Sequence, residues 1–214
     1  DTFLDISEAK IVDLDKIDDK TAAIAVQYPD FYGNIPNLDD YRKKADEVGA
    51  MLIVVVNEIV SLGLLDAPSQ ADIVVGEASS IGVGLNFGGP LLGFFACKKV
   101  NVRQVPGRLC GATVDQDGKP GYVLTLNARE QHIRRAKATS NICSNQGLCA
   151  TAFTIHASLL GELGMKKLAL LNHKKACDLA DKLAEIDGVK VLNDSFFNEF
   201  TIELNKDAKE VNKK

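Results

Sequence analysis

MLIVVVNEIVSLGLLDAPSQADIVVG, residues 51–76, decides the fold. Met51–Val56 is an unbroken apolar run rich in β-branched side chains and short enough to be a buried strand. EIVSLGLL (58–65) predicts a short helix that Ala67-Pro68 breaks, and ADIVVG (71–76) follows as another apolar strand. Upstream, TAAIAVQYP (21–29) reads as a strand that stops at Pro29, which brings no N–H to a ladder. Between these strands, LDDYRKKADEVGA (38–50) places Leu38, Tyr41, Ala45 and Val48 on one helical face. Asn37 or Asp39 can cap its start and Gly49 its end. Strand, helix, strand, helix, strand predicts an α/β domain with a mainly parallel sheet, buried on both faces by its crossovers.

Ligands in open α/β sheets sit beyond the carboxyl ends of the strands. That rule points to Tyr28, to Asn57 and Glu58, and to the glycine-rich segment GEASSIGVGLNFGGPLLGFFAC (76–97). The segment has the backbone of a cofactor loop, yet its one charged side chain is Glu77. Gly82, Gly84 and Gly88 give GxGxxxG, one residue longer than the dinucleotide fingerprint, and Pro90 and a strand follow where a helix N-terminus is needed. A Walker lysine is absent too. The loop aromatics Phe31 and Tyr32 read either as contacts to a ligand or partner or as packing over the core edge.

With 214 residues, 46% hydrophobic and 25% charged, the chain has the composition of a globular protein, and a net charge of −4 gives no basis for a nucleic-acid surface. No apolar run reaches the roughly 18–20 residues of a membrane span, and no signal peptide is visible. The five cysteines include no CxxC pair and the three histidines are far apart, so reduced thiols in a cytoplasmic protein without a metal centre are expected. Cys143 and Cys149 read as small buried apolar residues.

Elsewhere the pattern is coarser. Residues 1–20 suggest short edge strands and a helical turn. DQDGKPG (115–121) predicts the turn of a hairpin over 109–126, with Arg103 and Arg108 on an excursion before it. Residues 127–164 read as a helical stretch, a polar break at ATSN (138–141), and a long helix closed by Gly161 and Gly164. Residues 162–214 look like the start of a smaller α+β domain, with an amphipathic helix, two short strands in GVKVLNDSFFNEFTIEL and the first turns of a further helix, leaving 1–161 as part of a large domain.

AAIAVQYPDFYG (22–33), ADIVVGEASSIGVGLNFGGPLLGFFA (71–96), RQVPGRLCGATVDQDGKPGYVLTLNAREQHIRRAKATSNICSNQGLCA (103–150) and FFNEFTIEL (196–204) together resemble the glycine cleavage system P-protein family. The resemblance is nearest to the first subunit of the form that bacteria split into two chains, and REQHIRRAKATSNIC (129–143) is its most specific block. Against that family the chain looks like an internal piece.

The resemblance implies a pyridoxal-phosphate fold of the aminotransferase type, fold type I, with a large domain on a mainly parallel sheet and part of a small C-terminal domain. It implies an oxidoreductase in which pyridoxal phosphate, held by a lysine as a Schiff base, supports decarboxylation of glycine and aminomethyl transfer to the lipoyl arm of the H-protein. That lysine belongs in the loop corresponding to residues 76–90, which has none; Lys98 and Lys99 lie beyond the next strand. Where related catalytic chains place an acid against the pyridine nitrogen, this one has Asn57 and then Glu58. Both departures imply a non-catalytic subunit whose partner, a lysine-bearing second P-protein subunit, binds the cofactor covalently. The alternative is a self-sufficient pyridoxal-phosphate or nucleotide-binding enzyme of the same fold. On the first reading Gly88, Gly89, Thr139, Ser140 and Asn141 approach the partner's cofactor or substrate, and Arg134 or Arg135 holds neighbouring charge at the interface. Close packing by the glycines and a solvated helix face for the arginines are the plainer alternatives.

Overall fold

In the computed structural model, which describes residues 9–105, 107, 109–126, 130–138 and 146–212, one four-stranded sheet runs in the order β1 (Ala23–Gln27), β2 (Met51–Val56), β3 (Ile73–Glu77), β4 (Gly93–Cys97). β1 and β2 pair in parallel, as do β2 and β3, whereas β4 is antiparallel to β3. The first crossover carries α1 (Leu38–Val48) and the second a 3-10 turn at Ile59–Gly63. Between β3 and β4 the glycine-rich connection forms turns without a helix, so the chain reverses and β4 joins as an antiparallel edge. The mainly parallel sheet expected from residues 51–76 is present.

Local chemistry sets the ends of α1. Asn37 Oδ1 accepts from the Asp39 N–H at 3.1 Å, and Gly49, at φ 72°, donates its N–H to the Ala45 and Asp46 carbonyls. The helix lays Leu38 and Ala45 on the sheet against Ile24, Val26, Leu52, Val54 and Val56, with Tyr41 and Val48 beside them.

The opposite sheet face departs from the expectation of burial on both sides. Ala23 and Ala25 of β1 are exposed, Met51, Ile53 and Val55 of β2 are half-buried, and Phe95 of β4 is exposed. The period of two puts all of these residues on one face, and among the described residues no helix covers it fully.

The hairpin is present as β5 (Leu109–Val114) and β6 (Pro120–Thr125), its turn fastened by Asp115 Oδ1, which accepts from the Asp117 and Lys119 N–H groups at 2.9 and 2.8 Å. After it the helical expectation needs correction. Among the described residues α2 (Gln131–Arg134) and a 3-10 turn at Arg135–Lys137 are helical before the long α3 (Gly147–Ala184), which is interrupted at Gly161 and continues past Gly164. A glycine ends a helix when the next residues pack elsewhere. Here Met165, Leu168 and Ala169 pack onto Val60, Ile81 and Phe197, so tertiary burial carries the helix on. The interruption is at Gly161 alone, whose φ of 60° and ψ of −175° are not helical.

β7 (Val189–Val191) pairs antiparallel with β8 (Ile202–Leu204), and α4 (Ala208–Val211) follows, as expected. Among the described residues 9–20 there is a 3-10 turn at Leu14–Lys16 and no strand, so the edge strands expected there are missing from that part.

Candidate functional site

The carboxyl ends of β1 and β2 open into a cleft of about 680 Å³ lined by Gln27, Phe31, Asn57, Leu183 and, from the segment before β8, Asn198, Glu199 and Phe200. Its far wall is brought in by the loop after β1. Asn193 Nδ2 donates to the Tyr32 carbonyl at 3.0 Å and to Asn34 Oδ1 at 2.7 Å, and Thr201 Oγ1 donates to the same Tyr32 carbonyl at 2.8 Å. Gly33 is needed at this seam, because its φ is +88° and a Cβ would collide with the Glu199 carbonyl.

The cleft mixes polar side chains with the apolar Leu179, Leu183 and Ile202. Among the described residues no hydrogen bond engages the side chains of Gln27, Asn57, Asn198 or Glu199. Phe31 stands exposed at its rim, edge-on to Tyr32 with centroids 5.4 Å apart. Tyr28 turns the other way and is buried in the core, where burial first, and Asp66 second, push its phenol above the ordinary range. Sequence reasoning found Asn57 and Phe31 and missed Asn198, Glu199 and Phe200, whose position depends on the return of residues 193–201 to β1; FFNEF (196–200) was visible only as part of a resemblance.

The carboxylates next to the cleft are committed to backbone. Glu58 Oε1 accepts from the Val60 N–H at 2.9 Å and from Ser80 Oγ at 2.6 Å, tying the end of β2 to the glycine-rich loop. Glu77 Oε1 accepts from the N–H groups of Ala78, Ser79 and Leu92 at 3.1, 2.8 and 2.9 Å. Burial pushes the Glu77 carboxyl up, but the Ser79 hydroxyl and these N–H groups outweigh it and hold it below the usual range. The one charged side chain of the loop therefore closes the loop at both ends.

Among the described residues no lysine lines the cleft. Lys98 follows the antiparallel β4 and so lies at the amino ends of the parallel strands, where its Nζ is 2.9 Å from Asp72 Oδ1. Asp72 also accepts from Arg42 Nη1 at 2.7 Å and from the Leu52 N–H at 2.8 Å. A strand of five residues puts this cluster about 16 Å from the carboxyl edge.

The residues expected to approach a partner are placed as follows. Gly88 and Gly89 have φ of +119° and +125°, and nothing lies within 4 Å of a Cβ built on Gly88. They sit in a projecting tip with Leu85 and Phe87, both fully exposed at 96% and 104%. Arg134 and Arg135 lie at the junction of α2 and its following turn, where Arg135 lines a shallow hollow with Gln131, His132 and Ala136. Among the described residues neither guanidinium has an ion pair. Thr139, Ser140, Asn141 and Cys143 lie outside the described residues, whereas Cys149 is buried against Ala78 and Leu92 as expected.

The family model for the glycine cleavage system P-protein matches residues 2–214. A probable glycine dehydrogenase (decarboxylating) subunit 1 from Erythrobacter litoralis is 58% identical over 199 residues, covering 92% of this chain and 44% of the relative. One of the same description from Azorhizobium caulinodans is 60% identical over 193 residues, covering 89% and 43%. The chain thus spans less than half the length of these curated relatives. A crystal structure of glycine decarboxylase (P-protein) of the glycine cleavage system, in inhibitor-bound form, superposes with a TM-score of 0.93 at 39% identity over 99% of this chain and 51% of that one. A sphingosine-1-phosphate lyase from Burkholderia pseudomallei, at TM-score 0.55 and 16% identity over 86% of this chain and 40% of that one, shares the fold alone. The fold is the aminotransferase-like fold type I of pyridoxal-phosphate enzymes. The chain belongs to the glycine cleavage system P-protein family, which is dependent on pyridoxal phosphate.

Proposed function

We propose that this chain is part of the non-catalytic first subunit of a glycine dehydrogenase (decarboxylating), and that pyridoxal phosphate is held covalently by a lysine-bearing second subunit. One observation carries the reading: among the described residues no lysine lines the carboxyl-edge cleft, and Lys98 is bound to Asp72 at the opposite edge. The residues present do not fit a covalently attached pyridoxal phosphate. Asn57 at the end of β2 is a neutral amide and supplies no carboxylate to a pyridinium nitrogen.

In the assembled enzyme the substrate is glycine and the acceptor of the aminomethyl group is the lipoyl arm of the H-protein, both inferred from the family. The chain's own part is to present surface to the second subunit. Three apolar surfaces support that role: the open sheet face with Phe95, the loop tip with Leu85 and Phe87, and the part of α3 before Gly161, where Leu148, Ile155 and Leu159 are exposed along one stripe. By length and composition alone α3 would also suit a membrane span. Its second half, however, packs Ala169 on Val60 and Phe197, so the exposed stripe is assigned to a protein partner. The loop tip with Gly88 and Gly89, the segment with Thr139, Ser140 and Asn141, and Arg134 with Arg135 are assigned, from the family resemblance, to the approach to the partner's site. Residues 1–161 are assigned to the large domain and 162–214 to the small one, in a cytoplasmic enzyme.

The test uses the full-length protein carrying this sequence, with and without the second subunit. Glycine–bicarbonate exchange should need both, and borohydride should fix the pyridoxyl label on the second subunit only. A label on a lysine of residues 1–214, or exchange by the first subunit alone, would overturn the proposal.

A further inference from the structure

The cleft at the carboxyl ends of β1 and β2 has a volume of about 680 Å³, the size of a small-molecule pocket. Its outer wall is held from two sides. His173 Nδ1, on α3, donates to the Phe197 carbonyl at 2.7 Å, and Asn193 Oδ1 accepts from the Thr201 N–H at 2.6 Å. Phe197 is buried, and Phe196 packs on Phe200 with ring centroids 5.0 Å apart. Asn198, Glu199 and Phe200 therefore reach the cleft from a backbone pinned at both ends, which lowers the ordering cost of binding.

The lining states what such a ligand must carry. Among the described residues Glu199 is the one charged side chain there, and a carboxylate with no cation beside it selects positive charge and disfavours a phosphate. Gln27, Asn57 and Asn198 each add a carboxamide with two N–H donors, suited to an anionic oxygen, and one carbonyl acceptor, suited to an ammonium. Leu179, Leu183 and Phe200 supply an apolar wall. We propose that the cleft binds a zwitterionic α-amino acid with an aliphatic side chain. Its ammonium lies on Glu199, its carboxylate on the carboxamides, and its side chain against Leu179, Leu183 and Phe200. The proposal rests on the reading that pyridoxal phosphate is held by the second subunit, which leaves this cleft to another ligand. Glycine has no side chain to bury here, so leucine is favoured over it by at least about tenfold.

A leucine analogue bearing a side-chain diazirine tests this on the assembled full-length enzyme, with photolabelled peptides mapped by mass spectrometry. Labelling should saturate and fall on peptides containing Leu179, Leu183 or Phe200. Leucine should displace it, whereas isopentylamine, isocaproate and glycine, which lack the carboxylate, the ammonium and the side chain in turn, should each compete at least about tenfold less well. Glu199→Gln removes the charge from an exposed side chain and should weaken labelling about tenfold with unchanged thermal unfolding. The competition series in the unmodified enzyme decides the matter even if that variant fails to fold. Unsaturable labelling, labelling confined to the second subunit, competition by any of the three lesser compounds equal to that of leucine, or undiminished labelling of a folded Glu199→Gln variant would overturn the proposal. Borohydride reports the lysine and the diazirine reports this cleft, so this proposal and the reading beneath it fail separately.

Discussion

Asp72 gathers donors from three separate elements: Arg42 on α1, the Leu52 N–H on β2, and Lys98 after β4. Burial pushes its carboxyl up, but the hydrogen bonds from Lys98, Leu52 and Arg42 outweigh that and bring it from 3.8 to about 2. Because the folded-state value is the lower one, the stabilisation is fully present above the ordinary carboxylate range and is lost as pH falls towards 2. Asp72→Asn should cost about 2 kcal/mol at neutral pH and flatten the acid limb below about pH 4, measured by urea unfolding of the full-length protein across pH. Gly33→Ala acts at the other edge of the sheet. It imposes a Cβ at φ +88° against the Glu199 carbonyl and should destabilise by about 2 kcal/mol or more, detected as a lowered thermal midpoint and looser protection of residues 193–201. Neither role was legible in the sequence. Asp72 flanks an apolar strand and Gly33 sits in a loop, and what fixes each is a residue 20 or more positions away.

At the scale of elements, periodicity did much of the work. The apolar run 51–56, the capped helix 38–48, the hairpin turn at 115–119 and the two short C-terminal strands all follow from local pattern and turn chemistry. The continuation of α3 past Gly164 did not, because that glycine is a local stop signal that packing of Met165–Ala169 overrides, whereas Gly161 does interrupt the helix. Gly161 still holds a backbone conformation open essentially to glycine alone, and Gly161→Ala should destabilise by about 1–3 kcal/mol, read from thermal unfolding, whereas Gly164→Ala, at a helical position crowded only by its own Leu160 side chain, should cost less. The direction of β4 also escaped the pattern, since a turn-only connection and a crossover share glycine-rich composition. The loop tip makes a distinct prediction. Phe87→Asp places a charge on a fully exposed apolar tip, so it should leave folding unchanged but weaken co-purification with the second subunit by at least about tenfold, since a charge desolvated at an interface costs more than about 1.4 kcal/mol.

For the molecule as a whole, the family and the fold were readable because long stretches of sequence are distinctive and because a parallel α/β rhythm is hard to mistake. The candidate site was readable in part. Its position at the carboxyl ends of β1 and β2 follows from topology, and Asn57 and Phe31 lie there, but its outer wall at 198–200 is made by a long-range return of the chain. The exposed sheet face is the largest departure from expectation, and a surface left open in this chain agrees with a fold that functions against another. The claim that joins these observations is that this chain lacks a covalent hold on pyridoxal phosphate. Borohydride reduction of the assembled full-length enzyme, followed by peptide mapping of the pyridoxyl label, tests it most directly. The account predicts a single labelled lysine in the second subunit and none among residues 1–214; a pyridoxyl-lysine at Lys98, Lys99 or any other lysine of this chain would contradict it.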